Sequence, residues 1–142
     1  MRFKTVVLAA VVVAVLGLWG VIGGAQGTVA VNPTMVQFTA SADHSATNLD
    51  GTPTVSRYDL RVYVPTAMTT IVFTQNLGKP TPDASNSITV TLAAGLASTL
   101  IKNTQYVAEV VAVGPYGEGD SAPSNPFGYA AAPRAAGAPT IK

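Results

Sequence analysis

Tyr106-Val107-Ala108-Glu109-Val110-Val111-Ala112-Val113 is the run on which the fold turns. It is rich in β-branched side chains, lacks Gly and Pro, and is bounded by Asn103 before it and Gly114-Pro115 after it. That combination predicts a strand. Strand side chains alternate between faces. Tyr106, Ala108, Val110 and Ala112 are therefore expected inward, and Val107, Glu109, Val111 and Val113 outward. The run 55–64 alternates more cleanly still. Tyr58, Leu60, Val62 and Val64 share one side, while Arg57, Asp59, Arg61 and Tyr63 share the other. Bulk on one face and charge on the other marks a half-buried antiparallel strand.

Outward from these two runs, no helical periodicity lasts. Gly, Pro, Asn and Asp interrupt the chain at short intervals. Strands are predicted at 28–31, 34–40, 69–75, 88–92 and 124–130. Residues 94–100 read as a turn plus a short apolar plug. Residues 41–54, 76–87 and 114–120 read as loops, with Gly117 and Gly119 expected to supply positive φ for a hairpin turn. Seven short strands over about 100 positions predict an all-β sandwich of two antiparallel sheets. Its core is expected to rest on Phe38, Tyr58, Leu60, Val62, Val90, Leu92, Leu100, Tyr106 and Val110. Burying each large apolar side chain contributes roughly 1.5–3 kcal/mol before entropy is subtracted. Residues 131–142 are rich in Ala, Pro and Gly and read as a flexible tail.

The other end of the chain has a different character. Residues 6–23 carry no charged or strongly polar side chain, Arg2 and Lys4 precede them, and Gly23-Gly24-Ala25 follow. A basic start, an apolar run and small residues make an export signal. Cleavage after Ala25 gives a mature chain from Gln26. The run also reaches the length of a membrane span, so residues 1–25 read either as a cleaved signal peptide or as a retained N-terminal helical anchor crossing at residues 5–24. In the second reading Ala10, Ala14, Gly17 and Gly24 offer a small-residue face for self-association. Both readings export the body, as a secreted, periplasmic or cell-surface domain, because Arg2 and Lys4 hold the N-terminus inside.

Composition excludes several classes. The 142 residues include 8 basic and 7 acidic side chains, 48% hydrophobic residues, no Cys and one His. Two of the basic residues precede the apolar run, so the exported body is close to neutral. No cluster of Lys and Arg offers a nucleic-acid footprint. The missing Cys removes disulfides, thiolate metal sites and Cys catalysis. His44 next to Asp43 does not make a catalytic pair, because strand and loop neighbours point apart. It reads as a solvated loop residue. Asp43 and Asp50 alone are too few oxygen ligands for Ca²⁺. The glycines of 114–119 lack the Lys-Ser/Thr and helix of a phosphate loop. No catalytic residue, cofactor or metal is expected.

A family resemblance enters with Leu100-Ile101-Lys102-Asn103-Thr104-Gln105-Tyr106 and the segment after it, through Gly114-Pro115-Tyr116-Gly117-Glu118-Gly119-Asp120-Ser121-Ala122-Pro123-Ser124. It resembles the E–F corner, strand F, FG loop and start of strand G of fibronectin type III domains. Leu six residues before Tyr, Thr two before it, a closing Ala-Val, a Gly-x-Gly loop and Ser-x-Pro-Ser all follow that pattern. Ser56–Tyr63 looks like the family's strand C, while Phe38 stands where many members carry a strand B Trp. Asp43-His44 and the 78–82 stretch are similar to bacterial exported members. The resemblance covers residues 28–130 and implies an immunoglobulin-like sandwich. It also implies a tyrosine corner of Leu100, Thr104 and Tyr106, with the Tyr106 hydroxyl bonding backbone upstream.

The function expected is a non-catalytic adhesion or protein-interaction module. Loops 41–54 and 114–120 would present it, with Tyr116 as aromatic anchor and Glu118 and Asp120 beside it. Val107, Val111 and Val113, with Tyr63, are expected to form an exposed apolar patch. Two other expectations stand beside this one. The domain would be a structural head assembled through a retained anchor, or a carbohydrate-associated module using Tyr116 and Tyr129 as stacking platforms. The Arg-Gly-Asp tripeptide of some family members is absent.

Overall fold

The computed structural model describes residues 28–135 and 137. The expected leader, 1–25, lies outside them, as does most of the end of the tail. Residues 131–135 and 137 are exposed and outside any strand or helix.

The body is mostly β. In chain order it forms β1 (Ala30–Val31), β2 (Met35–Thr39), β3 (Arg57–Val64), β4 (Ala67–Gly78), β5 (Ser87–Thr91), α1 (Ala94–Thr99), β6 (Val107–Gly114), β7 (Gly117–Asp120) and β8 (Phe127–Gly128). β4, β3, β6 and β7 make one antiparallel sheet in that order, β2 and β5 make a second, and β1 pairs with β8 in parallel. Among the described residues there are thus eight strands rather than seven. The additional one is β7, in a stretch expected to be a loop. Gly114 pairs with Gly117 across a two-residue turn at Pro115-Tyr116, and Val111 pairs with Asp120. Gly119 is an ordinary strand residue, and of the two glycines only Gly117 has positive φ. Backbone pairing here needs no apolar side chain, so hydropathy alone missed it.

The final strand is interrupted between β7 and β8. Pro123 has no N–H, and the ladder is kept by side chains instead. The Ala108 and Val110 N–H groups donate to the hydroxyls of Ser124 and Ser121, at 3.0 Å each. The Ser121 and Ser124 N–H groups donate back to the carbonyls of Val110 and Ala108. Regular pairing resumes where Tyr106 exchanges both backbone bonds with Phe127.

The sheets pack on one core. Tyr58, Leu60 and Val62 from β3, Ile88 from β5, Leu77 from β4, and Tyr106 and Ala108 meet there. Phe38, Val90, Leu92 and Val110 are half-buried at its margin. Residues 94–100 resolve into α1, a single short helix. Its Ser98 and Thr99 hydroxyls donate to the Gly95 carbonyl, and Leu96 plugs the bottom of the core with no exposure.

Candidate interaction surface

The loop 41–54 builds its own frame. Gly51 N–H donates to the Asn48 carbonyl at 3.0 Å, closing a tight turn, and Asn48 N–H donates to Thr52 O at 2.8 Å. Gly51 has φ +81°, the left-handed region where glycine avoids a steric cost. The Asp50 carboxylate accepts from the Thr52 N–H and hydroxyl. The Asn48 amide donates to the Thr52 hydroxyl and accepts from that of Thr54. With Asn48, Asp50 and Thr52 bonded to one another around the turn, Leu49 is carried outward, fully exposed.

The β6–β7 turn leans on this frame. Tyr116, 74% exposed, donates its hydroxyl to Asp50 Oδ2 at 2.5 Å. A phenol bonded to a carboxylate favours the ionised acid, and the Tyr116 hydroxyl, with Thr52 behind it, holds the Asp50 pKa down at about 2. The same bond pushes the Tyr116 phenol up. Beneath, the Thr54 carbonyl sits so close to Gly114 that a Cβ there would lie 2.1 Å from the oxygen. The two loops are joined at Asp50–Tyr116 and at Thr54–Gly114. Leu49 and Tyr116 stand at the tip, set there by the bond between Asp50 and Tyr116, two residues 66 positions apart in the chain. Leu49 was not singled out in the sequence; Asp50-Gly51, a turn signal directly after a Leu, is the feature that marks it.

The expected apolar patch on the outer face of the larger sheet is not exposed. Val107, Val111, Val113 and Tyr63 are buried, Val111 with no exposure at all. The register explains this. Arg61 stands opposite Glu109 on β6, yet its guanidinium reaches β7, donating from Nη2 to both Glu118 oxygens at 2.8 Å, with Nη1 4.0 Å from Asp120. To make those contacts the Arg61 stem crosses β6 beside Val111, which pairs with Asp59 on one side and Asp120 on the other. Long cationic side chains cover apolar surface in this way. Arg57 and Asp59 add a second ion pair at 3.0 Å, with Asp59 itself buried. Glu118 and Asp120 are therefore partners of Arg61, and burial pushes the Tyr63 phenol up. Inside, Val110 and Ala112 are only partly buried, so the inward–outward contrast along this strand is weaker than its alternation predicts.

Two other expectations need correction. Tyr129 is buried, and its hydroxyl donates to the Pro33 carbonyl at 2.9 Å, so it offers no stacking platform. His44 is not a free loop residue. Its Nδ1 lies 3.0 Å from the Tyr58 hydroxyl and its ring stacks on Tyr58, with centroids 5.8 Å apart. At the other pole, Tyr106 is buried and its hydroxyl accepts from Ile101 N–H at 3.0 Å. Leu100 is buried there, and the Thr104 carbonyl presses on Gly128, 2.6 Å from where a Cβ would stand.

Among the described residues, no three His, Cys, Asp or Glu side chains gather as a metal site, and no helix is long and apolar enough to cross a membrane. Compared with models of known families, with curated proteins and with solved structures, the chain matches none of them.

Proposed function

We propose that this chain is an exported, non-catalytic interaction module built on a fibronectin type III-like sandwich. It contacts a partner protein through the tip formed by Leu49 and Tyr116. One observation carries the reading. A large aliphatic and a large aromatic side chain are held in water by a hydrogen-bonded frame that spends Asn48, Asp50, Thr52 and Gly114 on keeping them there. A rigid aromatic anchor loses little entropy on binding, and such residues dominate interface energetics. The strand order β4-β3-β6-β7 facing β2-β5 and the Tyr106–Ile101 bond support the family resemblance.

The test is site-specific photo-crosslinking in cells that make the protein. A photoreactive residue at position 49 or 116 is expected to trap one recurrent partner, and one at Thr66, exposed in the β3–β4 turn at the other end of the larger sheet, is expected to trap none. Equal labelling from all three positions sinks the reading. The carbohydrate alternative keeps one aromatic, Tyr116, after the burial of Tyr129. Polysaccharide retention that is lost in Tyr116→Ala would favour it.

A further inference from the structure

Asp50-Gly51 is the single Asp-Gly pair of the chain. Both residues are exposed, and nothing lies within 4 Å of where a Gly51 Cβ would stand. A backbone nitrogen followed by no side chain is open to attack the carboxyl carbon of the residue before it. The Gly51 nitrogen and the Asp50 carboxyl are therefore an electrophile and a nucleophile held next to each other, in water, at the tip.

The frame of the loop keeps them from reacting. Asp50 Oδ1 accepts from the Thr52 N–H at 3.0 Å and from the Thr52 hydroxyl at 2.7 Å. Oδ2 accepts from the Tyr116 hydroxyl at 2.5 Å. Gly51 N–H donates to the Asn48 carbonyl, which fixes the plane of the attacking peptide group. Ring closure must swing the carboxyl onto the Gly51 nitrogen and break these bonds. It also needs the neutral acid, because hydroxide leaves a carboxyl only as water. The fall of the Asp50 pKa from 3.8 to about 2 makes that form scarcer, by about 10- to 100-fold above pH 4.

We propose that Asp50 is a latent site of covalent modification, converting to isoaspartate through the Gly51 nitrogen, and that the Tyr116 hydroxyl keeps the site closed. In the reaction a bond forms between the Gly51 nitrogen and the Asp50 side-chain carboxyl carbon. The carboxyl C–OH bond breaks, and its hydroxyl leaves as water with the Gly51 amide proton. Water then adds to the main-chain carbonyl of the five-membered ring and breaks the original peptide bond. The product has the composition of the starting chain, but its main chain runs through the former side chain and is one methylene longer. Its free carboxylate sits on the former main-chain carbon, away from Tyr116. Conversion thus unlatches the two loops at the tip. This holds whatever the tip binds.

The test incubates the full chain, Tyr116→Phe, Leu49→Ala and a peptide of residues 46–55 side by side at pH 6. Isoaspartate is followed by enzymatic methyl transfer to its carboxylate and located by peptide mapping. The full chain is expected to convert at position 50 at least about tenfold more slowly than the peptide, since the reaction waits on local opening. Tyr116→Phe is expected to convert about tenfold faster than the full chain, the factor that loss of one hydrogen bond to a charged group allows. Leu49→Ala, which removes an exposed side chain outside the frame, is expected to keep the rate of the unsubstituted chain. Equal rates in peptide and full chain would overturn the proposal. So would a Tyr116→Phe rate equal to that of the unsubstituted chain, or equal acceleration by Leu49→Ala, which would assign the effect to general loosening of the loop.

Discussion

Tyr106 shows how much one hydroxyl decides. Its oxygen accepts the Ile101 N–H, a partly buried donor between α1 and β6. Tyr106→Phe keeps the ring but leaves that donor without a partner, a cost of about 1–3 kcal/mol. A shift in denaturant midpoint with an unchanged slope is expected, and equal midpoints would count against the bond. At the opposite pole, Tyr116 and Asp50 form a pair that depends on pH. The Asp50 pKa falls to about 2 in the folded protein from 3.8, so the folded state favours the charged acid. The stability this adds is complete above the ordinary value and drains away as pH drops from about 4 through 2. Tyr116→Phe removes the largest cause of the shift, so its melting curve should differ from wild type at pH 6 and converge with it near pH 2. A constant difference across that range would refute the account. Both tyrosines were legible in the sequence as residues of interest. The reason Tyr116 stands where it does was not, because its partner lies 66 positions away.

At the scale of elements, local pattern and tertiary demand part company in instructive ways. β3 was legible because it alternates bulk with charge; β4 runs longer than its apolar centre, from Ala67 to Gly78, because β3 supplies a partner along that length despite shifts in register. β7 was not legible, because Gly-Glu-Gly-Asp pairs through backbone alone. α1 has no side-chain cap and is too short to persist alone. What holds it is Leu96, and Leu96→Ala should cost about 2–5 kcal/mol by opening a cavity. Thermal unfolding of that variant measures it, and a loss under 1 kcal/mol would mean that the site collapses around the gap. Gly114 makes the reverse case. Adding a methyl at 2.1 Å from Thr54 O forces the tip loop away from β6. Gly114→Ala should destabilise by about 1–3 kcal/mol, as overpacking does. It should also shift the amide resonances of Asp50 and Thr52 by NMR; unchanged resonances there would show that the two loops are not mechanically joined.

The whole molecule distributes its order unevenly. β3 and β6 lie at the centre of the larger sheet, each paired on both sides, and carry Leu60, Val62 and Val111 with almost no exposure. β1 and β8 contribute only two residues each, and β8 joins the larger sheet through the single Tyr106–Phe127 bridge. Hydrogen exchange should therefore be slowest in β3 and β6 and fastest in β1 and β8; similar protection throughout would indicate a single all-or-none opening. Alternation, turn residues and β-branched runs were enough to expect strands near β1 to β6 and β8, because those signals act between neighbours in the chain. The near-neutral composition likewise set aside nucleic acid before any fold was known. Only the tertiary structure decided which faces meet water. The valines beside Arg61 looked exposed by period and are covered, because a guanidinium crosses a strand to reach Glu118 and Asp120. Tyr129 looked available and is buried, because β8 folds back on β1. Leu49 and Tyr116, far apart in sequence, share a tip because two loops close on each other through one hydrogen bond and one glycine. Burial is a property of contacts between distant residues, and a local pattern records only half of each contact.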